Sequence, residues 1–312
     1  MHWIFAIIGI ALFLFFCFKK KLQFMLPMLL FVTIFLFLAL PDTESIHLKT
    51  LDSIKLHSSV PSKNYNYYAQ SYFNSIVYAL KFPLHIHTFT EFGNNHAFTD
   101  QFSEVNLTSF QDFSLSTIVV YENWLLFTLE HNFEKQIELW GQDLTTKKFQ
   151  QFYTNLSFLP LSIALTSTHI FFSGRDQSYI SLLPNPLNKT SSISGNATQL
   201  NFFHFGTGTT NEFTHPVGLF VYENLLYVCE QTRIVVFKNQ KLIYSYGPLF
   251  KPYHVLVWKK MLVASTKFHL FFYNLKSRQF IGTLTLNSPI LSITSSPSFL
   301  YVAQSSQVQI YK

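Results

Sequence analysis

The pattern of apolar and polar residues divides the chain into two parts of different character. Residues 2–18 and 22–40 are uncharged apolar runs of about 17 and 19 residues, separated by Lys19, Lys20 and Lys21. From Pro41 onward the pattern changes to short runs rich in Val, Ile, Phe, Tyr and Thr, separated by turn residues, which is typical of β-strands. The sequence therefore predicts a membrane anchor in residues 1–41 and an all-β domain in residues 42–312.

Each apolar run approaches the roughly 20 residues that a helix needs to cross a bilayer. We expect a transmembrane helical hairpin with residues 19–21 on the cytoplasmic side, because positively charged loops stay there. The β domain of this integral membrane protein would then lie on the non-cytoplasmic side. A cleaved signal peptide fits less well, since the apolar part is long and no small-residue cleavage site follows Leu40. One spanning helix beside one interfacial helix is a third interpretation, and it keeps the domain outside only if the second run spans.

The β domain repeats one strand pattern several times. In each unit, an apolar strand of four or five residues is followed by a turn and a second apolar strand. A third strand often follows, as in residues 233–237, and a fourth in residues 241–245. The units begin at Leu115, Pro160, Pro216, Pro252 and Pro289, with spacings of about 45, 56, 36 and 37 residues. A period near 40 residues with four strands per unit predicts the blades of a β-propeller.

The two ends of the domain bear on how the propeller closes. Residues 75–80 and 84–88 predict a weaker first unit, which gives about six blades of roughly 45 residues each. Only about 23 residues follow Pro289, enough for three strands. Because an open sheet edge invites aggregation, we expect residues 45–56 to supply the fourth strand of the last blade. The predicted fold class is therefore an all-β propeller of about six blades, closed by an N-terminal strand.

Composition and charge narrow the classes of function. Only 12% of the residues are charged and 48% are hydrophobic, which excludes intrinsic disorder and a coiled coil. Half of the formal charge of +6 comes from residues 19–21, and from Asp42 onward 19 basic residues oppose 16 acidic ones. That balance is too weak and scattered to predict a nucleic-acid partner. Cys17 and Cys229 predict no disulfide framework, and Cys229 is interpreted as a small buried apolar residue.

Residues 205–237 resemble an NHL repeat. The matching features are a glycine-containing turn, Phe213, Pro216, Gly218, a Tyr-Val strand and the Arg-Ile-Val-Val-Phe strand at 233–237. The other units share the strand pattern. The resemblance implies a six-bladed NHL-like propeller. NHL-like and related propellers are mostly binding platforms, and some are hydrolases or lactonases.

Candidate chemical sites are few. The calcium-dependent enzymes among the related propellers need several carboxylate ligands, and the six Asp residues of the domain recur at no single position of the repeat. The sequence also lacks a phosphate-binding glycine loop and a nucleophile elbow. We therefore predict no catalytic residue, metal or cofactor. His215, Lys251 and His254 are the candidate binding residues, because they fall near the starts of inner strands at a channel mouth. Pro160, Pro216, Gly218, Pro252 and Pro289 are predicted as structural anchors of the repeat.

These observations favour one function and leave two alternatives. The favoured interpretation is a membrane-anchored, non-catalytic scaffold that uses loops on one face for protein–protein interaction, as a subunit of a membrane complex. The first alternative is a hydrolase or lactonase with a site in the central channel, which requires clustered carboxylates and histidines there. The second is a glycan-binding module, which requires aromatic side chains along an open groove.

Overall fold

The computed structural model describes residues 54–312 except for 62–66, 74, 82–84, 91–102, 105–106, 108–109, 111, 157, 175–178, 189–212, 214 and 306. Within these residues, 23 strands form six antiparallel sheets, five of four strands and one of three. No helix among them has both the length and the hydrophobicity to cross a bilayer. The predicted hairpin of residues 1–41 lies outside the described residues and stays a prediction.

The sheets are numbered in the order of their inner strands. Strand β1 (Leu56–Pro61) precedes the first sheet and belongs to the last one. Sheet 1 contains β2 (Tyr67–Phe73), β3 (Ile76–Lys81), β4 (His85–Thr90) and β5 (Ser103–Glu104). Sheet 2 contains β6 (Phe113–Tyr121), β7 (Trp124–His131), β8 (Ile137–Asp143) and β9 (Phe149–Tyr153). Sheet 3 contains β10 (Pro160–Leu165), β11 (His169–Gly174) and β12 (Ile180–Pro184).

The second half of the chain continues the same order. Sheet 4 contains β13 (Leu219–Tyr222), β14 (Leu225–Cys229), β15 (Ile234–Lys238) and β16 (Lys241–Tyr246). Sheet 5 contains β17 (His254–Trp258), β18 (Met261–Ser265), β19 (His269–Asn274) and β20 (Phe280–Thr285). Sheet 6 contains β21 (Ile290–Ser295), β22 (Leu300–Gln304) and β23 (Gln307–Tyr311), with β1 on its outer edge.

The first strands of the sheets form a closed ring. Strand β2 contacts β6, and the contacts continue through β10, β13, β17 and β21, which contacts β2 again. In sheets 1 to 5 the remaining strands follow outward in sequence order. This arrangement is a β-propeller, so the predicted all-β propeller fold is confirmed. Its described part has five four-stranded blades and the three-stranded sheet 3 in one ring.

The N-terminal strand of the domain completes the last blade, as predicted, but with a different boundary. The pairing strand is Leu56–Pro61, whereas residues 45–56 were expected. Leu56 pairs with Tyr311 and Pro61 pairs with Gln307, so the length and position of β23 decide which residues form the closing strand. Pro61 lacks the N–H that would continue the ladder, which suits the end of an edge strand.

The hydrophobic core of the described residues forms six clusters, one between each pair of successive sheets. Between sheets 1 and 2, for example, Leu80 packs with Leu125 and Phe127. The second and third strands of each sheet have neighbours on both faces, so their apolar residues form continuous runs instead of alternating with polar ones. The runs Leu225–Cys229 and Ile234–Lys238 follow this pattern.

The connections between strands lie on two faces. We define the upper face as the side where the inner strands begin and the lower face as the side where they end. Leu219 N donates to Ser162 Oγ (3.1 Å) near the beginning of two neighbouring inner strands, and Val120 N donates to Ser71 Oγ (2.9 Å) near the end of two others. The inner strands therefore run in the same direction. On the lower face, the turns after the first and third strands of a sheet meet, since Leu144 N donates to the carbonyl of Asn123 (2.8 Å).

Candidate functional site

A cavity of about 780 Å³ lies on the axis of the ring. The inner strands of all six sheets contribute to its wall, so it is the central channel of the propeller. Its volume lies within the range of small-molecule pockets, which is roughly 300–1,000 Å³.

One position of the inner strand recurs in the channel wall of every sheet. It lies four residues before the first residue of the four-residue β-turn that joins the first two strands of the sheet. We call it the ring position. Its side chains are small or polar in all six sheets. The residues are Ala69, Thr117, Ser162, Gly218, His254 and Ser292.

At the ring position, sheets 3, 4 and 5 each approach the next sheet closely. The hydroxyl of Ser162 accepts a hydrogen bond from Leu219 N in sheet 4. A Cβ atom on Gly218 would lie 2.3 Å from the carbonyl oxygen of Tyr253, just before the inner strand of sheet 5. His254 hydrogen-bonds to the main chain of Leu291 in sheet 6. A small or hydrogen-bonding residue is needed here because the backbone of the neighbouring sheet is so close.

His254 is a neutral histidine in the folded protein. Burial lowers its pKa to about 4, although the hydrogen bond to the main chain of Leu291 acts in the opposite direction. A neutral imidazole is both a donor and an acceptor. At neutral pH, His254 can therefore hold the main chain of sheet 6 and still offer a ring nitrogen for hydrogen bonding.

Two further polar groups of the channel wall are buried without a hydrogen-bond partner among the described residues. They are the side-chain amide of Gln70 and the indole N–H of Trp258. Gln70 follows the ring position in sheet 1, where the other sheets have buried apolar residues such as Leu219 and Val255. A buried amide without a partner costs about 1–3 kcal/mol. A buried water that bonds to the amide would remove that cost.

Charged groups in the described channel wall do not converge. His254 lies at the upper end, whereas Glu223 and Lys259 lie in turns at the lower end. Among the described residues, no group of three or more His, Cys, Asp or Glu side chains is arranged to hold a metal ion. The histidine and the carboxylate are therefore too far apart along the channel to act as one acid–base pair.

Three aromatic side chains of the upper face are exposed around sheet 5, those of Phe250, Tyr253 and Phe268, and we call these three residues the aromatic patch. Phe250 is 74% exposed, and the other two are 40% and 36% exposed. Lys251 Nζ lies 5.4 Å from the ring centre of Phe250, and Lys267 Nζ lies 5.2 Å from that of Phe268. Aromatic residues beside cations are common at the centres of protein interfaces.

The backbone of the aromatic patch is held by hydrogen bonds to three sheets. Lys251 N donates to the carbonyl of Gln231 in sheet 4 (2.8 Å), and Tyr253 N donates to the carbonyl of Ser265 in sheet 5 (2.8 Å). The carbonyl of Lys267 accepts from Ile290 N in sheet 6 (2.7 Å). Because the backbone is already ordered, a partner binding here would not have to order these loops, which lowers the entropic cost of association.

The three candidate binding residues from the sequence fall on the upper face. His254 lines the channel, while Lys251 is exposed within the aromatic patch. His215 is exposed at the equivalent position before sheet 4, and like Lys251 it precedes a proline and has a positive φ, 51° against 48°. These two exposed residues do not line the channel. Their role in binding stays a prediction.

The structural anchors lie at or just before the inner strands. Pro160 begins β10, and Pro216, Pro252 and Pro289 precede β13, β17 and β21. Gly218 occupies the ring position. Cys229 is completely buried and free, and burial raises the pKa of its thiol well above the usual range, in agreement with its interpretation as an apolar residue.

Phe250, Tyr253 and Phe268 were not among the candidate residues expected from the sequence. A signal was available for Phe268, because it follows Lys267 in a short turn between two strands, where a large apolar side chain has no sheet to pack against. Phe250 gave a similar signal next to Gly247, Pro248 and Pro252. For Tyr253 there was no such signal, since it directly precedes an apolar strand.

Comparisons with known proteins show the fold alone. No protein-family model and no curated protein matches the sequence. In contrast, 852 chains of solved structures match the chain, so the fold by itself selects no single function. One of them belongs to the crystal structure of the mitotic checkpoint complex. It aligns with 84% of this chain and 91% of its own length, at 9% sequence identity and a TM-score of 0.50.

Proposed function

We propose that the protein is a non-catalytic binding platform whose upper face holds a protein partner. The observation that carries this proposal is the aromatic patch of Phe250, Tyr253 and Phe268, exposed on a backbone fixed by three sheets. Exposed aromatic side chains are costly to leave in water and are enriched at the energetic centres of interfaces. The similarity to a chain of a protein complex agrees with a partner-binding role.

The chemistry of the patch suggests the chemistry of the partner. Lys251 and Lys267 lie beside the two phenylalanines, so a complementary surface has apolar pockets with carboxylates at their rims. The carboxylates would meet the two amines while the pockets take the rings. A partner of this kind combines burial of aromatic area with charge complementarity.

The proposal includes three finer assignments. Residues 1–41 anchor the protein in a membrane as a helical hairpin, and the propeller lies on the non-cytoplasmic side as a subunit of a membrane complex. Sheet 3 is the sixth blade of an NHL-like propeller. The support for the anchor is the length of the two apolar runs and the lysines between them. The support for the NHL-like assignment is the resemblance within residues 205–237.

The test is co-purification of the full chain from gently solubilised membranes, compared with two variants. The double variant Phe250→Ser and Phe268→Ser removes both exposed rings of the patch. The control is Phe133→Ser, which removes an 80% exposed ring from the upper face of sheet 2, three positions away around the ring. We expect partner recovery to fall at least about tenfold in the double variant, since two interface aromatics contribute more than 1.4 kcal/mol, and to stay unchanged in the control.

Melting temperatures distinguish a loss of partner binding from a loss of folding. All three phenylalanines are exposed, so the melting temperature should change little. Equal partner recovery by the wild-type protein and the double variant would show that the patch is not the binding site. A wild-type protein that purifies alone and monomeric would contradict the platform itself.

A further inference from the structure

We propose that the lower face of the propeller is a docking surface for anionic phospholipid headgroups. The proposal concerns the side opposite the aromatic patch. It rests on the proposed membrane anchor for one point, namely that the anchor brings this face within reach of a bilayer. It does not rest on the side of the membrane proposed above, and it requires anionic lipid in the leaflet that the propeller faces.

The turns of sheets 2 and 5 carry pairs of cations on the lower face. Lys147 and Lys148 lie in the turn between β8 and β9, and Lys259 and Lys260 form the turn between β17 and β18. All four side chains are exposed. Lys259 and Lys260 both have positive φ, 47° and 63°, as in the two-residue turns that join tightly paired strands.

The same pattern continues in the other turns of sheets 4 and 5. Lys238 and Lys241 flank the turn between β15 and β16, and Lys276 and Arg278 lie in the turn between β19 and β20. These four side chains are exposed as well. Together with Lys259 and Lys260, they form a continuous basic arc across two neighbouring sheets.

Sheet 6 extends this arc. Strand β1 begins on the lower face, where Lys312 N donates to the carbonyl of Lys55 (3.1 Å), and both lysine side chains are exposed. The described part of the lower face thus has ten side-chain cations against three carboxylates, those of Glu122, Asp143 and Glu223. Among the side chains described on this face, positive charges therefore exceed negative ones by seven.

The upper face differs sharply in charge. The charged side chains described at its strand ends and loops are four cations and five carboxylates. Both ion pairs of the described residues also lie there, Lys135 with Glu130 at 3.6 Å and Arg233 with Glu230 at 2.7 Å. The weak net charge of the whole domain therefore hides a strong asymmetry between its two faces.

The course of the chain favours a lipid surface as the partner of the lower face. The polypeptide reaches β1 on this face, directly after residues 41–53. These 13 residues can span at most about 45 Å when extended, and the apolar run 22–40 precedes them. A bilayer that holds that run is consequently within reach of the basic arc.

The shape of the charge distribution also favours a lipid surface. The cations lie on the tips of turns around a ring, and each Lys or Arg near an anionic bilayer contributes about 1 kcal/mol. A single-stranded nucleic acid is instead held by a basic groove with aromatic side chains for base stacking. The exposed aromatic residues Phe133, Phe250 and Phe268 all lie on the opposite face.

The test uses the full chain reconstituted in two kinds of vesicle, phosphatidylcholine alone and phosphatidylcholine mixed with phosphatidylserine. Amine acetylation at each lysine is measured by mass spectrometry. We expect Lys238, Lys259 and Lys276 to react about fivefold more slowly in the anionic vesicles, which corresponds to about 1 kcal/mol per residue. Lys135, Lys251 and Lys267 on the upper face are internal controls and should react equally in both.

A pair of variants separates charge from proximity. Changing Lys238, Lys259 and Lys276 to Gln should abolish the protection of Lys241 and Lys260 in anionic vesicles. The matched control changes Lys135, Lys251 and Lys267 to Gln and should keep that protection. Melting temperatures of both variants should stay close to that of the wild type because all six lysines are exposed.

The outcomes separate this proposal from the membrane anchor. Vesicle flotation after carbonate treatment reports insertion of the anchor, whether or not the lysines are protected. Equal labelling of the lower face in both kinds of vesicle overturns the docking surface even if the chain is inserted. If the chain does not insert into vesicles, the proposed membrane anchor is wrong. Protection of the lower-face lysines by added anionic vesicles would still support the docking surface. Protection of the same lysines by single-stranded RNA but not by anionic vesicles would assign the face to nucleic acid and overturn the proposal.

Discussion

Gly218 lies so close to Tyr253 that a Cβ atom on the glycine would be 2.3 Å from the tyrosine carbonyl oxygen. The contact joins the inner edge of sheet 4 to that of sheet 5. The obstacle is backbone, which cannot rotate away as a side chain can. The spacing between these two sheets therefore depends on glycine at the ring position.

Replacement of Gly218 by alanine should destabilise the protein by about 2–3 kcal/mol, because the two sheets must move apart to accept the methyl group. The measurement is the free energy of unfolding in denaturant. The matched control is Ser162→Ala at the ring position of sheet 3, which removes the hydroxyl that accepts from Leu219 N. That change should cost about 1 kcal/mol. A Gly218→Ala protein as stable as the wild type would contradict the proposed sheet spacing.

His254 should make stability depend on pH in a defined window. Its ordinary pKa is near 6.5, and in the folded protein burial lowers the pKa to about 4. Above pH 6.5, His254 is neutral in both the folded and the unfolded chain, so its titration takes nothing from the stability of the fold. Between pH 6.5 and 4 the unfolded chain binds the proton and the folded chain does not, so stability is lost as the pH falls. The loss from this one group is about 2–3 kcal/mol.

The variant His254→Ser isolates this effect, because serine stands at the ring position of sheets 3 and 6 and can also hydrogen-bond to the neighbouring main chain. Carboxylates elsewhere titrate in both proteins and cancel in the difference. Between pH 7 and pH 4, the free energy of unfolding should fall less for the variant than for the wild type. If the free energy of unfolding of both proteins falls equally between pH 7 and pH 4, His254 is not held neutral in the folded protein.

Gln70→Leu should stabilise the protein by about 1 kcal/mol, since leucine restores the apolar residue that the other sheets have next to the ring position and removes a buried amide without a partner. Thermal unfolding would show the change as a higher melting temperature. Gln150→Leu, at an exposed position of the outer strand β9, is a control for the same substitution. A clear loss of stability in Gln70→Leu would show that the amide is satisfied by a bound molecule.

Strand β1 should be required for a closed, monomeric propeller. A chain of residues 50–312 retains β1, whereas a chain of residues 62–312 lacks it and leaves β23 as an open edge. We expect the shorter chain to melt at least about 10 °C lower and to self-associate, because unpaired strand edges template aggregation. Light scattering and thermal unfolding test this. Two chains with equal melting temperatures and equal mass in solution would show that closure by β1 is dispensable.

Much of the fold could be read from local sequence. The apolar runs that contain Val228 and Val235 predicted strands, and the recurring prolines marked where the inner strands of sheets 3 to 6 begin. The shortage of residues after Pro289 predicted closure by the N-terminal part of the domain. The identity of the closing strand could not be read, because residues 45–56 and 56–61 have similar patterns and the choice depends on pairing with a strand some 250 residues away.

The candidate sites were less accessible from sequence. Histidine and lysine positions before the inner strands were found because they recur with the repeat. The aromatic patch was not found, since Phe250 and Phe268 come from different connections that only the stacking of sheets 4 and 5 brings to one face. The basic lower face was hidden for the same reason, as its lysines are spread from Lys55 to Lys312.

The sequence by itself determined that this domain is built from repeated small antiparallel sheets, because strand propensity, apolar runs and turn residues act over a few residues at a time. It also indicated that the last sheet must borrow a strand. The tertiary structure alone decided which strand is borrowed, why Gly218 must lack a side chain, and which charges and aromatic rings share a face. Those properties arise from distances between residues far apart in the chain, and the packing of one sheet against the next sets those distances.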